Sequence, residues 1–171
     1  PGLTLVRGAN GAGKTTLLRA LAGLVPLGRG TRSADGAPLY LGHRPMLLRG
    51  LSAHANLSFL AAFRGGPPAD VRAALARWGL EGVSDRPVER LSAGQRKRTA
   101  LARLDTEPAP TVLLDEPFAE LDADGAALLR AAVRAATTAG RAVVLVTHQA
   151  DELDMEAARR FVVRDGAVHG A

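Results

Sequence analysis

Gly8-Ala9-Asn10-Gly11-Ala12-Gly13-Lys14-Thr15 fits the spacing G-x-x-x-x-G-K-[S/T], and its flanks decide how it folds. Upstream, Leu3-Thr4-Leu5-Val6 is a short apolar run of β character stopped by glycine. Downstream, Lys14 to Leu24 places Leu17, Leu18 and Leu21 on one helical face, with Gly23 as the C-terminal stop. Strand, glycine-rich turn and helix in that order make a phosphate-binding loop. The glycines let the backbone wrap closely and aim its N–H groups at phosphate oxygens. The helix that follows presents its positive end. Lys14 can reach β- and γ-phosphates, and the Thr15 hydroxyl, followed by Thr16, can bind Mg²⁺.

Working outward, Thr111-Val112-Leu113-Leu114 is a continuous apolar run that ends in Asp115-Glu116. Such a run suits a strand covered on both faces of a parallel sheet. A carboxylate at the C-terminal end of a neighbouring parallel strand lies beside the phosphate loop. Asp115 can then hold Mg²⁺, and Glu116 can polarise an attacking water. By itself Asp115-Glu116 would read as an exposed turn. Leu39-Tyr40-Leu41 and Val143-Val144-Leu145-Val146 are further strand candidates, and Ala123 to Ala139 is an alanine-rich helix ended by Gly140. Phe161-Val162-Val163, Asp165-Gly166 and Ala167-Val168-His169 read as a hairpin with a tight turn. Strands alternating with helices predict an α/β fold with a mostly parallel sheet. Residues from Leu51 to Leu91 interrupt it; they look mostly helical, with Gly65-Gly66-Pro67-Pro68 as a break, and suggest an inserted subdomain.

Composition bounds the rest. With 171 residues, 47% hydrophobic and 23% charged, the chain has room for one packed domain and is not of disordered type. Aromatics are only 4%, so the core is built from Leu, Val and Ala. Cysteine is absent, which excludes a disulfide framework, a thiolate metal site and a cysteine nucleophile. No apolar run approaches the ~18 residues that cross a bilayer, and a soluble, cytoplasmic-type domain is the expectation. The net charge of +5 comes almost wholly from arginine; Lys14 and Lys97 are the two lysines. That balance suits phosphate ligands, anionic lipid or nucleic acid, and equally a coding bias.

Leu91-Ser92-Ala93-Gly94-Gln95 separates this chain from simple phosphate-loop kinases. With it, the sequence resembles the nucleotide-binding domains of ABC (ATP-binding cassette) ATPases, whose signature is LSGGQ or LSAGQ. Ser92 is a helix N-cap candidate, and the turn makes a second phosphate-binding site without lysine. The resemblance assigns that site, through Ser92, Gly94 and Gln95, to the ATP of a facing subunit. Glu120-Leu121-Asp122 resembles the D-loop, where Asp122 would help to arrange the facing subunit. Thr147-His148 resembles the switch histidine, which would contact the γ-phosphate. The text at Tyr40-Leu41-Gly42-His43, Leu101-Ala102-Arg103-Leu104, Asp115-Glu116-Pro117-Phe118 and Thr147-His148-Gln149 is most similar to the ATP-binding subunits of cytochrome c biogenesis haem exporters.

The resemblance implies a P-loop NTPase, an N-terminally truncated ABC-type nucleotide-binding domain over residues 1–171. Residues 1–45 and 92–171 would form the ATPase core and 46–91 the helical subdomain. It also implies Mg²⁺-dependent ATP hydrolysis with Lys14, Glu116 and His148 as catalytic groups. A homodimer or paired ABC subunit, and integral membrane permease subunits of a haem exporter, are the implied partners, with no nucleic acid. The implied location is peripheral, on the cytoplasmic face of the inner membrane. Two departures bear on this. Arg44 stands where the family's Q-loop glutamine is expected, and a guanidinium has only donors and cannot ligate a cation. The phosphate loop begins at residue 8, ahead of which the family has antiparallel strands. An ABC ATPase of another transporter branch, a nucleic-acid-associated ABC ATPase, and a degenerate ATP-binding module without turnover are the rival readings.

Overall fold

The computed structural model describes residues 1–65, 68–148 and 152–171. Gly66 and Pro67 of the expected break, and Gln149 after the switch histidine, lie outside the described residues. The chain divides into two compact units.

The first unit comprises Pro1–His43, Ala109–Pro117 and Val133–Ala171. Its sheet contains β1 (Gly2–Arg7), β2 (Leu39–Leu41), β3 (Thr111–Asp115), β4 (Ala142–Val146), β5 (Arg159–Arg164) and β6 (Ala167–Gly170), in the order β2-β3-β4-β1-β5-β6. Every neighbouring pair is parallel except β5 and β6. Val112, Leu113 and Leu114 are all buried, as are Val143, Leu145 and Val146. Central strands of a sheet covered on both faces need such uninterrupted apolar runs. The β5–β6 hairpin turns at Asp165 and Gly166, with φ of 49° and 74°. Two successive positive φ values make the mirror-image turn whose twist matches antiparallel strands.

Helix α1 (Lys14–Ala22) leaves the phosphate loop directly and ends at Gly23, whose φ is 76°. There the Gly23 N–H donates to the Ala20 carbonyl at 3.0 Å and the Leu24 N–H to the Arg19 carbonyl at 2.8 Å. This pair of bonds satisfies carbonyls that a helix end would otherwise orphan. Leu18 packs with Val6, Leu113, Val146 and Val163, which fixes α1 on the sheet. Gly8 is pinned at the mouth of β1: a Cβ there would lie 2.4 Å from the Val163 carbonyl oxygen.

The second unit comprises Arg44–Pro108 and Phe118–Ala132. It holds α2 (Ala53–Phe63), α3 (Val71–Arg77), α4 (Ala93–Leu101) and α5 (Arg103–Thr106); α6 (Ala123–Thr138) begins among its residues. Caps set the starts. Ser52 Oγ accepts from the Ala55 N–H, Asp70 Oδ1 from the Ala73 N–H, and Ser92 Oγ from the Gln95 N–H. Leu57, Leu75, Trp78, Leu80 and Leu101 are fully buried, and the Trp78 Nε1–H donates to Asp105 at 2.9 Å. Buried Glu107 receives the guanidiniums of both Arg64 and Arg103.

The units do not follow the boundaries expected from sequence. Residues 92–108, expected in the ATPase core, pack through α4 and α5 against α2 and belong to the helical unit, as do 118–132. Both α4 and α5 meet α2 and each other, and Leu91, Ala100, Leu101 and Leu104 are buried. The helix expected over Ser92–Leu104 also breaks at Ala102 into α4 and α5.

Candidate functional site

In the first unit, the glycine-rich loop and the acidic end of β3 share one cavity. It measures about 250 Å³ and is lined by Asn10, Gly11, Gly13, Lys14, Thr15, Thr16, Asp115 and Glu116. Gly11 and Gly13 have φ of 81° and 105°, the left-handed backbone that lets the loop curl before α1. No side chain caps α1, so the first N–H groups of the helix stay available to an anion. Lys14 is buried, and its ammonium donates to the carbonyls of Gly8 at 2.8 Å and Ala9 at 3.0 Å.

Asp115 is only 2% exposed. Its Oδ2 lies 3.3 Å from the Tyr40 hydroxyl, which donates to it. Glu116 sits in left-handed backbone at φ 48°, and its N–H donates to the Val146 carbonyl at 3.0 Å. That bend carries its carboxylate out of the sheet, where Oε2 meets His148 Nδ1 at 3.0 Å. A buried carboxylate and a half-buried threonine hydroxyl are hard oxygen donors. Among the described residues no cluster of three or more metal-ligating side chains exists. One or two oxygen ligands completed by phosphates and water is how Mg²⁺ is held, so the donor set fits that ion.

Of the residues expected from sequence, Asn10, Gly11, Gly13, Lys14, Thr15, Thr16, Asp115 and Glu116 share the cavity; Gly8 and Ala9 adjoin it through their carbonyl bonds to Lys14, and His148 through Glu116. Tyr40, the partner of Asp115, is not among the expected site residues. Burial is the main cause that raises the Tyr40 hydroxyl above its ordinary value of 10.0, with the Arg19 guanidinium beside it pulling the other way. Tyr40 is the single tyrosine, so absorbance at 295 nm follows it alone. The expected titration midpoint of the folded chain lies above 10.0. In the unfolded chain the same group ionises first, so stability drops as pH rises past that value. A midpoint at or below the ordinary value would contradict the buried setting.

The signature and D-loop residues lie in the second unit. Ser92 and Gln95 form a reciprocal capping box: Ser92 Oγ accepts from the Gln95 N–H at 3.1 Å, and Gln95 Oε1 accepts from the Ser92 N–H at 2.9 Å. The S-x-x-Q spacing carries that signal, beyond the N-cap read from Ser92 alone. Gly94 opens α4 close to the D-loop, where a Cβ would lie 3.4 Å from the Glu120 carbonyl oxygen. Asp122 Oδ1 accepts from the Gly125 N–H at 2.8 Å in the first turn of α6, and Arg98 closes on the same carboxylate. The exposed Arg44 guanidinium belongs to this unit too.

Comparison with known proteins adds names to this geometry. The ABC transporter family matches residues 2–119. A cytochrome c biogenesis ATP-binding export protein, CcmA, from Xanthomonas axonopodis pv. citri is 48% identical over 157 residues, covering 85% of this chain and 73% of that protein. A namesake from Xanthomonas campestris pv. campestris is 47% identical over the same length. Another, from Salmonella paratyphi A, is 42% identical over 173 residues, covering 94% of this chain and 83% of that protein.

Proposed function

Because the chain belongs to the ABC transporter family, among the cytochrome c biogenesis ATP-binding export proteins, we propose that it powers haem export or handling by an exporter of that pathway. It binds ATP and hydrolyses it as an ABC-type ATPase. The observation that carries the reading is the single cavity in which the phosphate loop meets Asp115 and Glu116.

The geometry supports the following roles. Loop N–H groups and the start of α1 cradle the β- and γ-phosphates, and the Lys14 ammonium neutralises charge on the transferred phosphoryl group. Thr15 and Asp115 would hold Mg²⁺, which supplies charge neutralisation when bound. Glu116 orients or deprotonates the attacking water. The Nδ1–H of His148 donates to Glu116 and keeps that carboxylate aimed, and in the doubly protonated ring Nε2–H would also donate to the γ-phosphate. Two copies would pair, so that Ser92, Gly94 and Gln95 of one face the ATP held by Gly8–Thr16 of the other. The helical unit would dock on integral membrane permease subunits. Among the described residues no helix is long and apolar enough to cross a membrane; the export-subunit reading puts the chain peripherally on the cytoplasmic face of the inner membrane.

Lys14→Ala tests the reading. ATP hydrolysis by the purified chain is expected to fall by about 10²-fold or more, the scale for removing one preorganised charge-stabilising donor. In cells that lack their own ATP-binding export subunit, the wild-type chain should restore haem-stained c-type cytochromes and Lys14→Ala should not. Undiminished hydrolysis by the variant would remove the loop from the chemistry. Hydrolysis without restoration would detach the chain from cytochrome c.

A further inference from the structure

Arg98 lies on α4 one turn beyond Gly94 and on the same face of that helix. Both meet the short segment before α6. Gly94 approaches the Glu120 carbonyl, and the Arg98 guanidinium reaches Asp122 Oδ1 at 3.0 Å and Oδ2 at 2.7 Å. Glu120 is bent into left-handed backbone at φ 67°, a conformation that non-glycine residues rarely hold. Asp122 Oδ1 is also held locally, as the cap that accepts from the Gly125 N–H. Gly125 leaves the space this requires: a Cβ there would lie 2.9 Å from Asp122 Oδ1 and 3.3 Å from Arg98 Nε. All of these residues belong to one unit.

An ordinary exposed ion pair does little, because two long side chains must be ordered in water. This pair differs in three respects. The Arg98 side chain is only 19% exposed. One guanidinium nitrogen, Nη2, reaches both carboxylate oxygens, while Arg98 Nε is buried without a hydrogen-bond partner among the described residues. The carboxylate is already ordered by its backbone donor before the arginine arrives.

We propose that Arg98 is a positioning residue for the signature turn, holding it through Asp122 in the orientation that a second copy's ATP requires. Asp122 then works inside its own chain. It joins the start of α4 to the start of α6, instead of reaching across to the facing copy. The proposal rests on the paired-ATPase reading above.

ATP-driven dimerisation, measured by sedimentation velocity with Mg²⁺ and ATP in a Glu116→Gln background, tests it. Arg98→Ala should weaken dimerisation about 5-fold, the upper scale of a partly exposed ion pair, while ATP binding by the single chain stays unchanged. Asp122→Asn keeps an oxygen to cap α6 but loses the charge; it should weaken dimerisation to a similar extent, and the double variant no further. Arg98→Lys should recover part of the loss, because an ammonium can replace the one nitrogen that meets Asp122. Fluorescence of Trp78, the single tryptophan and a core residue of this unit, reports whether each variant is folded. If the background dimerises and Arg98→Ala does so equally well, the proposal is wrong. Additive losses in the double variant would mean that Asp122 acts separately, which also overturns it. Loss of ATP binding or of Trp78 burial in Arg98→Ala would leave a merely structural role and sink it likewise. A background that binds ATP yet never dimerises would refute the paired reading and this proposal together.

Discussion

Glu116→Gln is expected to lower steady-state ATP turnover by about 10²- to 10⁴-fold, the usual range for a positioned general base, with ATP binding retained. Glutamine nearly matches glutamate in shape and can still accept from His148, so the contact at 3.0 Å can persist. What it cannot do is take a proton from water. The backbone at this position is bent to φ 48° and anchored by the N–H bond to Val146, so the substitution should leave the turn in place. Turnover at the wild-type rate in Glu116→Gln would place the base elsewhere. Equal loss of ATP binding would make the residue structural.

The second large effect is on stability. Glu107→Leu is expected to destabilise the helical unit by about 3–5 kcal/mol, the scale for removing one partner from a buried ion pair. The Glu107 side chain is fully buried, and those of Arg64 and Arg103 are 21% and 12% exposed. Removing the carboxylate leaves two guanidiniums facing each other in a poorly solvated place. Arg64 closes α2 and Arg103 opens α5, so the loss falls on a junction of two helices. Urea unfolding followed by Trp78 fluorescence should show a midpoint lower by roughly 1–5 M, for a slope of 1–3 kcal/mol per M. A loss below about 1 kcal/mol would mean that this triad behaves as a surface pair.

Much of the first unit is legible in the sequence because its signals are local. The glycine spacing, the run Thr111–Leu114 and the Asp165-Gly166 turn each specify backbone within a few residues. The phosphate loop and the Asp115–Glu116 end of β3 follow from those elements and the right-handed logic of parallel sheets. The unit boundary is not legible. An apolar helix face such as that of α4 looks the same in sequence whether it covers a sheet or another helix. The side-chain pairs are hidden for a related reason. Tyr40 and Asp115 stand 75 residues apart, Arg64 and Glu107 43, and Arg98 and Asp122 24. Nothing in local propensity links such positions. Arg98 shows in the sequence only as part of the densest basic cluster, Arg96-Lys97-Arg98.

Gly8 is the first glycine of the phosphate-binding motif, and motif logic credits it to the nucleotide. Its setting credits it to a neighbour: the Val163 carbonyl occupies the space that any side chain would need. Architecture alone therefore forbids other residues here. A descendant of this chain that abandoned ATP would still be held to glycine at position 8 for as long as β5 ran beside β1. Persistence of that glycine is thus a record of how the strands are woven, and says little about whether the catalyst still turns over.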